Sequence, residues 1–488
     1  MRYDAVVMAK QRNHSCPHCQ RLEKQVAELQ KRLEEAERQL AKARKHSGNS
    51  SKPPSSDIVN PKRGAAPAAD AKVGKQTGQT KRKRGGQPGH PRHKRKPFEP
   101  HEIDVTFIHY YTGCPCCGGK LIDLAQEPPS ILQQVEIETT PFHVEEHQRF
   151  FQQCTECQKV HRVPWPEDLR KAGLVGPRLT ALIGFLKGAC HMSFSSIRKY
   201  LRDCVGVKIS RGQLAKLVHK VSDTLLDPYE HLLALLPEED RLNIDETGHK
   251  ENGKRLWTWC FRAALFTVFK ISPSRGSQVL VEVLGEEFEG IIGCDYFSAY
   301  RKFMKDFNVV VQFCLAHFIR DVKFLAEHPQ KKNREHGERL LAHFRQLFHI
   351  IHRRDEYPTE IGFRRALARV RNDLVHDAIF LSPGTREADN LGDRFVEHCD
   401  SFFTFITTPG VEPTNNLAEQ AIRFVAIHRR LTQGTRSEAG RNWCERIWTA
   451  VVTCEQQDRP LFPYLCEAVS QWLRGQGVPP LVPIPDTS

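Results

Sequence analysis

RLNIDETG at residues 241–248 and GIIGCDYFSAY at residues 290–300 decide the fold. In the first, Leu242 and Ile244 alternate with Asn243 and Asp245, the period of a half-buried strand. RLWTWCFRA (255–263) and LFTVFKIS (265–272) are two further strand-like runs, so the three together predict an antiparallel meander. The second stretch predicts a fully buried strand ending at Asp295, and NVVVQF (308–313) supplies another.

Three antiparallel strands followed by two that alternate with helices is the order of an α/β ribonuclease H-like fold. In that order an acid on the first strand lies beside the one ending the fourth, so Asp245 and Asp295 are expected to face each other. TNNLAEQAIR (414–423) offers a third acid, Glu419, near the start of a helix. Taken singly, these acids have structural readings. Asn416 as N-cap with Glu419 at the third helical position resembles a capping box, Glu419 and Arg423 are spaced for an ion pair, and an Asp at a strand end often caps a turn. As a set they suit two-metal phosphodiester chemistry. Three carboxylates give hard oxygen ligands for two magnesium or manganese ions, and no nucleophilic side chain is then required.

The rest of the chain fits a polyanionic partner. Its 488 residues predict several domains, and 72 Lys and Arg against 58 Asp and Glu give a formal charge of +14. Residues 60–99 hold twelve basic residues against Asp70 and Glu99, and Lys81, Arg82, Lys83, Arg84, Arg92, Lys94 and Arg95 are candidate DNA contacts. Upstream, Leu22, Val26, Leu29, Leu33, Ala36, Leu40 and Ala43 keep a heptad seam, which predicts a self-associating coiled coil; the alternative is one amphipathic helix lying on the protein body. The start MRYDAVVMAK lacks a secretory core, and no apolar run approaches the roughly 20 residues of a membrane span, so a cytoplasmic, nucleoid-associated chain without a membrane partner is expected.

Sixteen cysteines in such a chain point to metal ligation or burial rather than disulfides. Cys114 and Cys117, with Cys154 and Cys157, form two Cys-x-x-Cys knuckles, the spacing of one structural zinc ribbon; four buried or redox-active thiols are the alternative. Cys16 and Cys19 offer half of such a site, to be completed by a paired chain. Residues 193–225 read as two helices about a Gly206 turn, with Ser210 and Gln213 as a capping box and Arg211 and Lys216 exposed for DNA. A helix-turn-helix and a core-filling helical hairpin both satisfy that pattern.

The heptad seam followed by NSSKPPSSD, the basic RGGQPGHPRHKR, the paired knuckles, LKGACHMSFSSIRKYL, NIDETG, GCDYFSAY, QFCLAHFIRD, VEPTNNLAEQAIR and GTRSEAGRNWCERIWT together resemble the transposases of the insertion sequence 66 family, in the DDE superfamily. The resemblance spans nearly the whole chain. It implies a catalytic triad of Asp245, Asp295 and Glu419 and a Cys-x-x-His signature at Cys314 and His317. His317 is thereby a candidate for positioning phosphate or water, against the alternative of a buried thiol beside a helix-starting His. It further implies a helical insertion before the final acid, after which Arg423, Arg429, Arg430 and Arg436 either bind phosphates or lie as solvated surface.

The organisation expected is a coiled coil at 20–46, a basic linker at 47–98, a zinc ribbon at 99–170 and a helix-turn-helix-like region at 171–236. A catalytic core at 237–317 and 413–475 then flanks the insertion at 318–412. The activity implied is binding of terminal inverted repeats, cleavage to 3′-hydroxyls and joining to target DNA by a homo-oligomer, with small accessory proteins. A domesticated DNA-binding regulator and a nuclease that cuts without joining are the alternatives.

Overall fold

In the computed structural model, which describes residues 17–46, 48–49, 99–104, 106, 116–117, 141–142, 144–148, 151–153, 155–157, 160–162 and 164–482, the heptad stretch is a single helix, α1 (Pro17–Ala43). Its seam is open to water: Leu22, Val26, Leu29, Leu33 and Leu40 are 44–61% exposed. Its C-terminal end meets the body. There Ala41 is buried, the Lys45 ammonium lies 4.5 Å over the Phe324 ring, and Asn49 donates to Glu327 at 2.7 Å. Cys16, Cys114, Cys154 and all the basic residues of 81–95 lie outside the described residues, so the zinc and basic-tail expectations fall there too.

Residues 64–147 form a unit of their own, in which Pro100–Glu102 is a 3-10 turn. Within the other unit, β1 (Phe151–Gln153) and β2 (Val160–Arg162) make a short antiparallel hairpin. Helices α2 (Glu167–Ala172), α3 (Pro177–Gly188), α4 (Phe194–Tyr200), α5 (Arg211–Thr224) and α6 (Leu226–Leu235) follow. The capping chemistry read from the sequence is present. Ser193 Oγ accepts from Ser196 N at 3.0 Å to start α4, and Ser210 Oγ accepts from Gln213 N at 3.1 Å to start α5. Between them the chain widens into a π turn, Leu201–Val205, and reverses at Gly206, whose φ of 84° is left-handed. Arg211 and Lys216 are exposed, while Leu214, Leu217, Val218 and Val221 are buried. The helical pair therefore fills core with one face and offers bases on the other.

The sheet is built from β3 (Arg241–Glu251), β4 (Lys254–Arg262), β5 (Thr267–Ser272), β6 (Ile291–Cys294) and β7 (Val310–Phe313), in the order β5-β4-β3-β6-β7. β3, β4 and β5 are antiparallel, and β6 and β7 run parallel to β3. The β3–β4 hairpin turns on Asn252 and Gly253, both with positive φ (47° and 82°), as a two-residue type I′ turn requires. Helices α7 (Gln278–Leu284) and α8 (Ser298–Phe307) cross between the later strands. α9 (Leu315–Ala326), α10 (Lys331–His352), α11 (Glu360–Phe380), α12 (Arg386–Phe402) and α13 (Thr404–Thr407) pack as the expected helical insertion. Its first helix begins at Leu315, ahead of the expected boundary at 318.

The chain then returns through α14 (Asn416–Thr432), α15 (Glu438–Gln456) and α16 (Leu461–Leu473). α14 lies on β3 and β4, α15 on β5, and α15 and α16 on α3 and α5. One hydrophobic cluster thus runs from α3 to α16, so the helices of 171–236 share their core with the sheet.

Both edge strands are covered. Thr453, Thr449 and Glu445, spaced one turn apart on α15, accept the outward N–H groups of Thr267, Phe269 and Ile271 at 3.1, 3.1 and 2.6 Å. On the other edge, Thr404 donates to the Val311 carbonyl at 2.8 Å, and Gln312 bonds Phe402 O and Phe405 N. Side chains thereby occupy positions at which another strand would add. Among the described residues no helix is long and apolar enough to cross a membrane.

Candidate active site at the carboxyl ends of the parallel strands

The register Leu242↔Ile292 and Asn243↔Gly293 fixes the first two acids. Two residues beyond its last pair lie Asp245 and Asp295, near enough for the Asp295 charge to bear on the Asp245 carboxyl. This is the carboxyl end of the parallel strands, where open α/β sheets bind ligands. Both carboxylates are half-buried. Asp245 Oδ1 accepts from Glu246 N within β3, and Asp295 Oδ1 from Phe297 N in the turn after β6, each at 2.9 Å. Burial raises the Asp245 carboxyl well above the usual range, with repulsion from Glu246 and Asp295 adding to it. Burial, then Glu246, pushes Asp295 up to about 7. The cluster is thus short of positive charge.

Glu246, the next residue on β3, points to the other face and its side chain is only 1% exposed. Its Oε1 accepts from Arg275 Nε and Nη2 at 2.9 and 2.7 Å, and its Oε2 from the Tyr300 hydroxyl at 2.6 Å. Arg275 lies between the Trp257 and Phe297 rings at 4.6 and 3.9 Å. Sequence reading missed this residue, because an acid following an acid on one strand gave no sign of a buried partner.

The third acid arrives by a different route. Asn415, 1% exposed, donates its side-chain amide to the Ile244 carbonyl at 2.7 Å and accepts from Asn243 Nδ2 at 2.9 Å. Its backbone N–H meets Cys314 Sγ at 3.1 Å. Gly293 makes room for this: a Cβ there would sit 2.5 Å from Asn243 Nδ2. Leu315 N to Pro413 O (2.9 Å) and Cys314 N to Cys294 O (2.7 Å) complete the tie between β6, the start of α9 and the start of α14.

The capping reading of Glu419 is corrected here. The N-cap is Asn415, one residue earlier than expected, and its side chain does not cap the helix because it is committed to β3. Glu419 consequently sits at the fourth helical position. Its charge faces Arg320, whose Nη2 lies 3.1 and 3.3 Å from its two oxygens, and His317, whose Nδ1 lies 3.4 Å from Oε1. Arg423, the partner expected from spacing, is exposed. Arg320 could have been found from sequence, being three residues beyond His317 on the same helical face.

His317 is pushed down to about 4 by burial and by Arg320, and burial pushes the Cys314 thiol up to about 11. Arg430 is exposed and Arg436 follows α14, whereas Arg429 is spent on the fold: its Nη1 bonds Thr247 Oγ1 at 3.0 Å and the Gly248 carbonyl.

These features define the class: an α/β domain with acids gathered at the carboxyl ends of its parallel strands and an adjoining helix. Residues 172–442, more than half of the chain, match the family model described as Transposase IS66 family, and the chain belongs to that family. Residues 7–96 match a second model, a family of unknown function (DUF6444). Among similar proteins, the uncharacterized protein y4hP of Sinorhizobium fredii is 24% identical over 71% of this chain and 68% of its own length. The uncharacterized protein y4qI of the same organism is 23% identical over 64% of this chain and 62% of its own length.

Proposed function

We propose that this member of the transposase family is a DNA transposase of the DDE type with a ribonuclease H-like core. In this reading it binds element ends, cleaves them to leave 3′-hydroxyls and joins those to target DNA. The observation that carries the proposal is the parallel β3–β6 ladder, which ends two residues before Asp245 and Asp295 and so brings both acids to one end of the sheet, where the charges of Asp295 and Glu419 bear on Asp245. Two magnesium or manganese ions, held by Asp245, Asp295 and Glu419, would activate the attacking oxygen and stabilise the leaving one. The residues suit such ions: all donors are carboxylate oxygens, and the raised carboxyls of Asp245 and Asp295 mark a site that gains from added positive charge.

Each residue then has a task. Asp245 presents its oxygens from within β3, and Asp295 from the turn just after β6 that it orders itself. Asn415 holds the start of α14 against β3 and so sets the height of Glu419. Glu246, neutralised by Arg275, stiffens β3 beneath the cluster. Arg320 and His317 border Glu419 and are suited to meet a DNA phosphate. Arg211, Lys216, Arg423 and Arg430, with the basic residues between 81 and 95, supply backbone contacts.

The four knuckle cysteines are proposed to hold one structural zinc, and the helices about Gly206 to contact DNA. The open leucine seam of α1 supports self-association, since a row of half-exposed leucines gains from a partner helix. The test is magnesium- or manganese-dependent cleavage and strand transfer on DNA carrying the element's ends, with any accessory proteins supplied. Asp245→Asn, Asp295→Asn and Glu419→Gln should each bind that DNA yet neither nick nor join it. Variants as active as wild type would refute the triad, and nicking without joining would identify a nuclease instead.

A further inference from the structure

Cys314, His317 and Glu419 each offer a donor atom within 4.8 Å of the others. They are held there by secondary structure rather than by chance contact. Cys314 is the N-cap of α9, His317 lies three residues on and so on the same face, and Glu419 comes from the first turns of α14, pinned through Asn415. His317 Nδ1 is buried with no hydrogen-bond partner, although it lies 3.4 Å from Glu419 Oε1. A buried ring nitrogen facing a carboxylate and a sulfur without a bond to either is an unused lone pair or an unused proton.

The donor set is one thiol, one imidazole and one carboxylate. Magnesium takes oxygen ligands, whereas sulfur with imidazole suits zinc and the ions that resemble it.

We propose that Cys314, His317 and Glu419 form a second kind of metal site, for a thiophilic divalent ion of the zinc type, with Arg320 as the cation that such an ion displaces from Glu419. Three protein ligands leave a fourth tetrahedral position open to water. Binding takes the Cys314 proton to solvent and forms the metal–sulfur bond, so affinity rises with pH. The site does not depend on the DNA chemistry proposed above. If that chemistry holds, an ion here draws Glu419 away from Asp245 and Asp295, and zinc antagonises magnesium.

The test uses the full-length protein, dialysed against a mild chelator that removes zinc from an open three-ligand site and leaves tightly held structural zinc in place, with cobalt(II) as an optical probe. Wild type should bind one more cobalt than Cys314→Ser, and the difference spectrum should carry a thiolate-to-cobalt charge-transfer band. Asp245→Asn should keep that band, which separates this site from the acid cluster. His317→Gln, which retains the thiol, should weaken cobalt binding about 10-fold or more, and Arg320→Gln should tighten it about 10-fold, as loss of a competing cation requires. If Cys314→Ser does not fold, the His317 and Arg320 variants decide. Equal stoichiometry and spectra in wild type and Cys314→Ser, loss of the band in Asp245→Asn, or cobalt affinity unmoved by both the His317 and Arg320 changes would overturn the proposal.

Discussion

Replacing Asn415 by Ala removes two hydrogen bonds and leaves the backbone contact to Cys314 in place. The Ile244 carbonyl and the Asn243 amide then lose their partner at a position where Asn415 itself is 1% exposed. Each such loss inside a fold costs about 1–3 kcal/mol. Asn243 is half-buried and can recruit water, so its share belongs at the low end. The expected destabilisation is about 2–4 kcal/mol, read as a lower urea midpoint at unchanged slope. Asn415→Asp should do no better, because it sets an oxygen against the Ile244 carbonyl and adds an anion beside Asp245. Below the unfolding midpoint, the Ala variant should also bind manganese more weakly by electron paramagnetic resonance although no acid has been changed, since Glu419 loses its tether. A variant within about 0.5 kcal/mol of wild type, with the same manganese affinity, would show that the amide is not the clamp inferred here.

Glu246→Ala should cost about 2–4 kcal/mol by urea unfolding, since Tyr300 and Arg275 lose a buried partner, with Arg275 softened by its 37% exposure; a neutral result would refute the network. Burial pushes His428 down to about 3 and His249 to about 4, and His428 shares a 3.1 Å Nδ1–Nδ1 contact with His191 in which the accepting ring must be neutral. Their folded pKa values lie below the unfolded value of about 6.5, so the stability they contribute is present above that pH and falls away toward pH 4. Melting temperature measured across that window should drop less steeply in His428→Gln. Asp295 has the opposite sign: its folded carboxyl, raised to about 7, makes stability fall as pH rises from about 4 through 7. In chelator at pH 8, Asp295→Asn should therefore melt higher than wild type, and magnesium or manganese should raise the melting temperature of wild type more than that of the variant.

Much of the sheet was legible because strands announce themselves by period. The alternation at 242–245, the aromatic runs on either side of 264 and the apolar run before Asp295 gave strands in the order observed, and that order alone made neighbours of Asp245 and Asp295. Ser193, Ser210 and Gly206 marked helix ends for the same local reason: capping and left-handed turns depend on residues a few positions apart.

Glu419 shows the limit of local reading. Its spacing from Asn416 and Arg423 predicted a cap and an intrahelical pair, yet its partners are Arg320 and His317, about one hundred residues earlier in the chain. Likewise nothing in the sequence around Asn415 says that its amide will be used by β3, or that Glu246 will meet Arg275 and Tyr300. The sequence by itself determined the strand order, the helix ends and which acids were available, because these follow from periodicity and short-range hydrogen bonding. Only the tertiary structure decided which charge each acid faces and what holds α14 against the sheet, because buried polar groups take their partners from whatever the packing brings within hydrogen-bond reach.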